Sequence, residues 1–153
     1  MSELMRDLIT EFSFVGEFKF LDEFEYYGKP ILTRTDKKGN IIFANNMFSK
    51  MTGFSKDEYL GRPHSIVRHP GMPRAIFKEL WETILLGKEW QGYIKNRTKD
   101  NKFYWVNAYI QPEIENGVIV GFSSVQRSVP MEIISKYEEI YREMRVRELM
   151  AED

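Results

Sequence analysis

The chain has no cysteine among its 153 residues. This excludes disulfides, iron–sulfur ligation, thiol catalysis and any cysteinyl adduct, and it fits a reducing compartment. Only two histidines are present, and the formal net charge is −1. Near-neutral charge argues against electrostatic capture of nucleic acid. No apolar run approaches the roughly 18 residues a spanning helix needs, so insertion into a membrane is not expected. The first ten residues carry acids and lack a signal-peptide pattern, which points to the cytoplasm. There is no glycine-rich phosphate loop, no serine with an ordered base and no paired carboxylates facing a cleft. The chain therefore reads as a non-enzyme.

Aromatic residues are plentiful, at 14% of the chain, and total hydrophobic content is 42%. The length is that of one domain with extensions. Met5, Leu8, Phe12 and Val15 recur at helical spacing, predicting an amphipathic helix over 4–15. Residues 17 to 27 show no clear period. Strands are expected at 30–36 and 41–45 around a Lys37-Lys38-Gly39-Asn40 turn. A short helix follows at 46–52, and a Ser-x-x-Glu capping box at Ser55 opens another turn. A helix from Pro73 to about Leu86 has Ile76, Phe77, Leu80, Trp81 and Ile84 as its apolar stripe, with Phe77 and Trp81 read as core. Strands at 90–98, 102–111 and 118–127 are joined by short turns, hence antiparallel. A last helix over 131–150 carries the seam Ile134, Tyr137, Tyr141 and Met144, read as a docking or dimer surface. On the strand at 102–111, Tyr104, Val106, Ala108 and Ile110 share one face, and Phe103, Trp105 and Tyr109 the other. Both faces are apolar. One should cover a cavity and the other should meet the terminal helices or another chain.

The densest chemistry lies in Gly61 to Pro73. Both histidines, two arginines and three prolines fall within these thirteen residues. The prolines forbid a continuous helix, so the segment must be kinked turns holding basic side chains at fixed angles. His64 and His69 lack the i, i+4 spacing of a helical zinc site. One of them could serve as an axial haem ligand. Arg68 and His69 either place positive charge beside a ligand or are a solvated arginine and a capping histidine. Asn96 shares strand parity with Trp90, Gly92 and Ile94. An amide in that company needs partners, which are either neighbouring protein groups or a ligand edge offering donors and acceptors. Gln126, in line with Phe122 and Ser124, is either a ligand contact or an ordinary strand-end polar residue. Trp90 stacks on a ligand or sits at the rim of the core.

The order of two strands, short helices and three antiparallel strands resembles a PAS domain. His64-x3-Arg68-His69-Pro70-x-Met72-Pro73, Phe77-x3-Trp81, Trp90-x-Gly92, Lys95-Asn96-Arg97 and Tyr104-Trp105-Val106 together resemble the PAS domain of bacterial aerotaxis and energy-taxis receptors, over about residues 28 to 129. The resemblance implies an α+β PAS fold, with a five-stranded antiparallel sheet, short helices on one face and flanking N- and C-terminal helices. It implies three parts: a helical extension at 1–27, a sensor domain at 28–129 and a signalling or docking helix at 130–153. It also implies bound FAD, with FMN as the variant, held by His64, Arg68, His69, Trp90, Asn96 and Gln126. Asn96 falls where light-oxygen-voltage domains carry an asparagine facing the flavin ring, and Gln126 where they carry a glutamine. Many aerotaxis relatives have arginine at that second place, and aspartate where this chain has Gly71.

The short length is similar to stand-alone PAS proteins of bipartite energy-taxis systems. The implied role is a redox sensor that reports energy or oxygen status to a membrane-bound chemotaxis transducer, with a homodimer through the terminal helices. A haem-binding gas sensor and a cofactor-free interaction module remain the rival readings.

Overall fold

Alternation along the second strand builds the inner wall of the molecule. Ile31, Thr33 and Thr35 are buried, while Leu32 and Arg34 face out. The computed structural model describes residues 17, 18 and 29 to 152, and the helix expected over 4–15 lies outside them. The strands are β1 (Glu17–Phe18), β2 (Ile31–Asp36), β3 (Ile41–Ala44), β4 (Trp90–Arg97), β5 (Lys102–Glu115) and β6 (Val118–Arg127). The helices are α1 (Asn46–Thr52), α2 (Lys56–Tyr59), α3 (Arg74–Leu85) and α4 (Met131–Ala151), with a 3₁₀ turn at His64–Val67. Five strands pair antiparallel in the order β4-β5-β6-β2-β3, and the two residues of β1 run parallel to the start of β5. This is the expected α+β architecture.

Local chemistry explains several boundaries. In the β2–β3 turn the Asp36 carboxylate accepts from the amides of Lys38 and Asn40, both at 2.9 Å. Gly39 has φ +89°, and a Cβ there would stand 3.1 Å from the Trp81 ring, so only glycine fits. Ser55 and Glu58 form the capping box of α2. β5 runs four residues past its expected end, through Pro112. Its pairing with β4 ends at Ile110, so the proline lies where one edge of the strand has no partner strand among the described residues.

The two sheet faces are covered differently. Inside, α3 and the 3₁₀ turn roof β2, β4, β5 and β6. Outside, α4 lies across β4 and β5, and its seam packs there: Trp105 stacks on Tyr141 at 5.7 Å, and Tyr93 meets Tyr137 at 4.7 Å. The Tyr141 hydroxyl donates to the carbonyl of Tyr93 at 2.8 Å. The seam expected to serve docking or dimerisation is thus largely occupied by the chain's own sheet.

Polar groups fix the register of that helix. Lys95 is buried on the outer face, with its ammonium 3.0 Å from Glu138 Oε1. Trp105 Nε1 donates to the same oxygen at 3.1 Å. Burial lowers the Lys95 pKa, and Glu138 partly offsets this. Farther along α4, Glu148 accepts from the amides of Arg74 and Ala75 at 2.8 and 2.9 Å, capping α3 where Pro73 offers no side-chain cap. Beyond the reach of α4, Leu32, Phe43 and Tyr109 keep 37%, 45% and 51% exposure, so part of the outer apolar face is uncovered by described residues. No helix among the described residues is long and apolar enough to cross a membrane.

Removing one partner of the Lys95–Glu138 pair leaves a buried charge. Glu138→Ala is expected to cost about 2–3 kcal/mol, less than a fully buried pair because Glu138 is partly solvated. A lowered urea midpoint checks this; an unchanged midpoint would show that the pair does not hold α4 down.

Candidate functional site

Between sheet and roof lies a cavity of about 240 Å³, open on one side. Its sheet wall carries Thr33 and Thr35 from β2, Ile94 and Asn96 from β4, Ile110 from β5, and Phe122, Ser124 and Gln126 from β6. Its roof is Phe77, Leu80, Trp81 and Ile84 of α3, and His64, Ser65 and Arg68 of the kinked segment. Lys38 and Arg68, both exposed, stand at the rim. The walls are mainly apolar with a few convergent polar groups, the usual composition of a ligand site.

The kinked segment is held at both ends by backbone. Pro63 bridges to Asn40, and Arg68 bridges to Asn96. The His69 amide donates to the carbonyl of Lys95, and the Lys95 amide donates to Met72 Sδ at 3.3 Å. Three prolines, a 3₁₀ turn and these bridges therefore fix His64 and Arg68 against the end of β4. The Arg68 guanidinium lies 3.6 Å from the centre of the Phe77 ring, a cation–π contact that aims it across the cavity mouth.

Of the six residues expected to hold a cofactor, the fold brings four to one cavity: His64, Arg68, Asn96 and Gln126. His69 and Trp90 lie elsewhere. His69 is buried, accepts from the Gly71 amide at its Nδ1 at 2.9 Å and packs edge-on to Phe103, so it shapes the kink. Trp90 has the parity of Asn96 but sits at the far end of β4. Its ring covers Gly92, where a Cβ would come within 2.3 Å, and its Nε1 donates to Glu79 of α3 at 3.1 Å. Phe77 and Trp81, expected to be core, pack against the hydrophobic core and also line the cavity, with Trp81 edge-on to Phe122 at 5.5 Å.

Sequence reasoning did not single out Thr33, and it used Ser124 only for parity. Yet these residues join Gln126 to His64. Gln126 Nε2 donates to Ser124 Oγ at 3.0 Å, Ser124 Oγ and Thr33 Oγ1 are 2.6 Å apart, and Thr33 Oγ1 is 3.1 Å from His64 Nε2. Thr33 faces Ser124 in the β2–β6 register, a long-range pairing that no local signal marks.

Asn96 is buried at the other side of the sheet wall, opposite Tyr104 in the β4–β5 register. The Tyr104 hydroxyl is fully buried and has no described partner within hydrogen-bonding geometry. Burial pushes its pKa far up, against a weaker downward pull from the Asn96 amide. Relieving this desolvated group should be free or favourable: Tyr104→Phe is expected to leave stability unchanged or raise it by up to about 1 kcal/mol. A clear loss on urea unfolding would reveal a partner for the hydroxyl.

Burial pushes the His64 pKa below 6.5, its own backbone carbonyl pulls it partly back up, and the Arg68 charge adds to the lowering, so the site favours the neutral ring. The stability this contributes is present above the unfolded value of 6.5. As pH falls below 6.5 the unfolded chain takes up the proton first, so the folded state loses stability. The urea midpoint should therefore drop between pH 7 and 5, and His64→Gln should flatten that drop. Equal slopes for the two proteins would refute it.

Comparison with known proteins places this geometry. The family model described as PAS fold matches residues 41–126. The aerotaxis receptor of Escherichia coli K12 is 37% identical over 112 residues, covering 73% of this chain and 22% of the receptor. The chain thus spans about a fifth of the length of that relative. Among solved structures, the PAS domain of a Colwellia psychrerythraea protein superposes with a TM-score of 0.60 at 27% identity, covering 65% of this chain and 86% of that one. A light-oxygen-voltage domain studied with a flavin analogue superposes with a TM-score of 0.65 at 19% identity, covering 78% and 91%, a likeness of fold alone. With the family model matched over more than half its length, the chain belongs to the PAS-fold family and is related to the aerotaxis receptor.

Proposed function

We propose that this chain is a flavin-binding redox sensor whose cavity holds the isoalloxazine of FAD and whose C-terminal helix reports its state to a membrane-bound chemotaxis transducer. The observation that carries this reading is the pair of buried amides, Asn96 and Gln126, set on one sheet face two strands apart in a cavity otherwise walled by aromatic and aliphatic side chains. A flavin ring has apolar faces and a pyrimidine edge of mixed donors and acceptors. An amide offers both functions, and Asn96 lines the cavity beside the buried Tyr104 hydroxyl. Arg68 and Lys38 at the rim suit the phosphates of the dinucleotide. The relationship to the aerotaxis receptor points the same way.

When bound, the flavin would supply reversible electron uptake. The chain's own part is to bind the ring, to exclude water from it through the α3 roof and to answer a change in its charge and hydrogen bonding. Positive charge from Arg68 would favour the reduced, more anionic ring. The route outward is short. Asn96 faces the cavity, and Lys95, its neighbour on β4, faces Glu138 of α4. A displacement of β4 at Asn96 therefore acts on the ion pair that seats α4. Signalling requires that the ring's two redox states favour different positions of that helix.

The test is spectroscopic. Protein purified and incubated with FAD is expected to show the two-banded flavin spectrum, bleached on reduction. Asn96→Leu should weaken FAD binding by at least about tenfold, the loss of one or two hydrogen bonds. A protein that stays colourless would overturn the reading in favour of a cofactor-free module, and a Soret band would overturn it in favour of haem.

A further inference from the structure

Four polar side chains join into a single run along the cavity wall: Gln126 to Ser124 at 3.0 Å, Ser124 to Thr33 at 2.6 Å, Thr33 to His64 at 3.1 Å. All four line the cavity, and Gln126, Ser124 and Thr33 are at most 7% exposed. Each hydroxyl owns one proton, so it can pass on one hydrogen bond and no more. With Gln126 donating its N–H to Ser124, one arrangement uses every proton. Ser124 donates to Thr33, Thr33 donates to His64, and His64 Nε2 accepts, leaving the imidazole proton on Nδ1. If the Gln126 amide turns so that its carbonyl faces Ser124, the fully used arrangement runs backwards. His64 then carries its proton on Nε2 and donates to Thr33, Thr33 donates to Ser124, and Ser124 donates to Gln126.

We propose that Ser124, Thr33 and His64 are positioning residues that lock the orientation of the Gln126 amide to the site of the proton on His64. This deepens the flavin reading and rests on it for the identity of the ligand. A bound edge that changes between hydrogen-bond acceptor and donor turns the amide, the two hydroxyls rotate with their protons, and the imidazole proton changes nitrogen by exchange with solvent at the open side of the cavity, with no net gain or loss. Thr33 is the described hydrogen-bond partner of His64 Nε2, and the ring also meets its own backbone carbonyl, which the run must outweigh to move the proton. Arg68 on its own segment and Lys38 on the β2–β3 turn are the charged groups on the same cavity; neither is within hydrogen-bonding distance of that nitrogen. β2 and β6 present only hydroxyls and an amide there, α1 presents the Phe48 ring edge-on at 6.4 Å, and α3 presents apolar side chains. Burial disfavours the doubly protonated ring, so the change is one of tautomer more than of charge.

The test reads the tautomer of His64 by nitrogen-15 chemical shifts at pH 7.5, with assignment by a His69→Gln control. In ligand-free wild type the Nδ1–H form is expected to dominate. Gln126→Glu places an acceptor at the head of the run and should convert His64 predominantly to Nε2–H. Ser124→Ala combined with Gln126→Glu keeps the carboxylate but cuts the run, and should restore Nδ1–H. If that double variant does not fold, Thr33→Val with Gln126→Glu serves as the cut. One tautomer throughout would overturn the proposal. A shift that survives the cut would also overturn it, because the carboxylate would then act through space. In a second arm the wild type is loaded with FAD and reduced with dithionite, which supplies two electrons while solvent supplies the proton that makes flavin N5 a donor. Oxidised FAD, accepting at N5 from the Gln126 amide nitrogen, turns the carbonyl to Ser124 and should hold His64 as Nε2–H; reduction should return His64 to Nδ1–H in wild type and leave it unmoved in Ser124→Ala. Bound and bleached FAD without that movement overturns the coupling. Failure to bind FAD at all overturns the flavin reading and leaves the ligand-free result to decide the relay on its own.

Discussion

The period-two alternation of β4 at Lys95 and Asn96 is the constraint on which the rest of the architecture turns. Successive side chains on a strand must point to opposite faces. At this place the rule sends a buried amide into the cavity and a buried ammonium towards α4. The same two residues carry the backbone links to the kinked basic segment, through the Arg68–Asn96 bridge and the His69 and Met72 contacts at Lys95. Cavity wall, roof support and tail helix therefore meet within one dipeptide. Burying a lysine is costly, and the cost is met only while Glu138 stays in place. The sheet thus has a strong reason to keep α4 docked and a short lever for releasing it.

The cavity follows from a second constraint, the three prolines between Gly61 and Pro73. They prevent the segment from becoming a helix packed flat on the sheet. It arches instead, tied to the sheet at Asn40 on one side and Asn96 on the other. The hollow beneath is then lined by what the helix and strands turn inward, which is why Phe77 and Trp81 serve a wall that faces open space.

How much of this could be read from the chain depended on range. Strands β2, β3, β4 and β6, the α2 capping box and the glycine turns are set by neighbours a few residues apart, and they stood where expected. Parity, a local property, placed Asn96 and Gln126 among apolar neighbours, and the resemblance to flavin-binding PAS domains implied their role. Thr33 was invisible because its significance comes from facing Ser124 across a pairing of strands far apart in sequence. The Glu148 cap on α3 was hidden for the same reason, and α3 itself gave only the absence of a capping side chain after Pro73. His69 and Trp90 show the opposite limit. Their residue types suit a cofactor, and in this fold His69 accepts from the Gly71 amide and the Trp90 indole donates to Glu79, away from the lining of the cavity.

The Glu148 cap has a mechanical corollary. α4 is fastened at mid-length to the outer surface of the sheet and near its end to the first turn of the helix that roofs the cavity. It therefore straddles both halves of the jaw that would close on an occupant. Any widening of that jaw would load the strap between its two anchors, the end one being the two amide hydrogen bonds to Glu148, the Arg74–Glu152 ion pair and the fully buried Val146. The width of the cavity is thereby tied at two points to the seating of the tail helix.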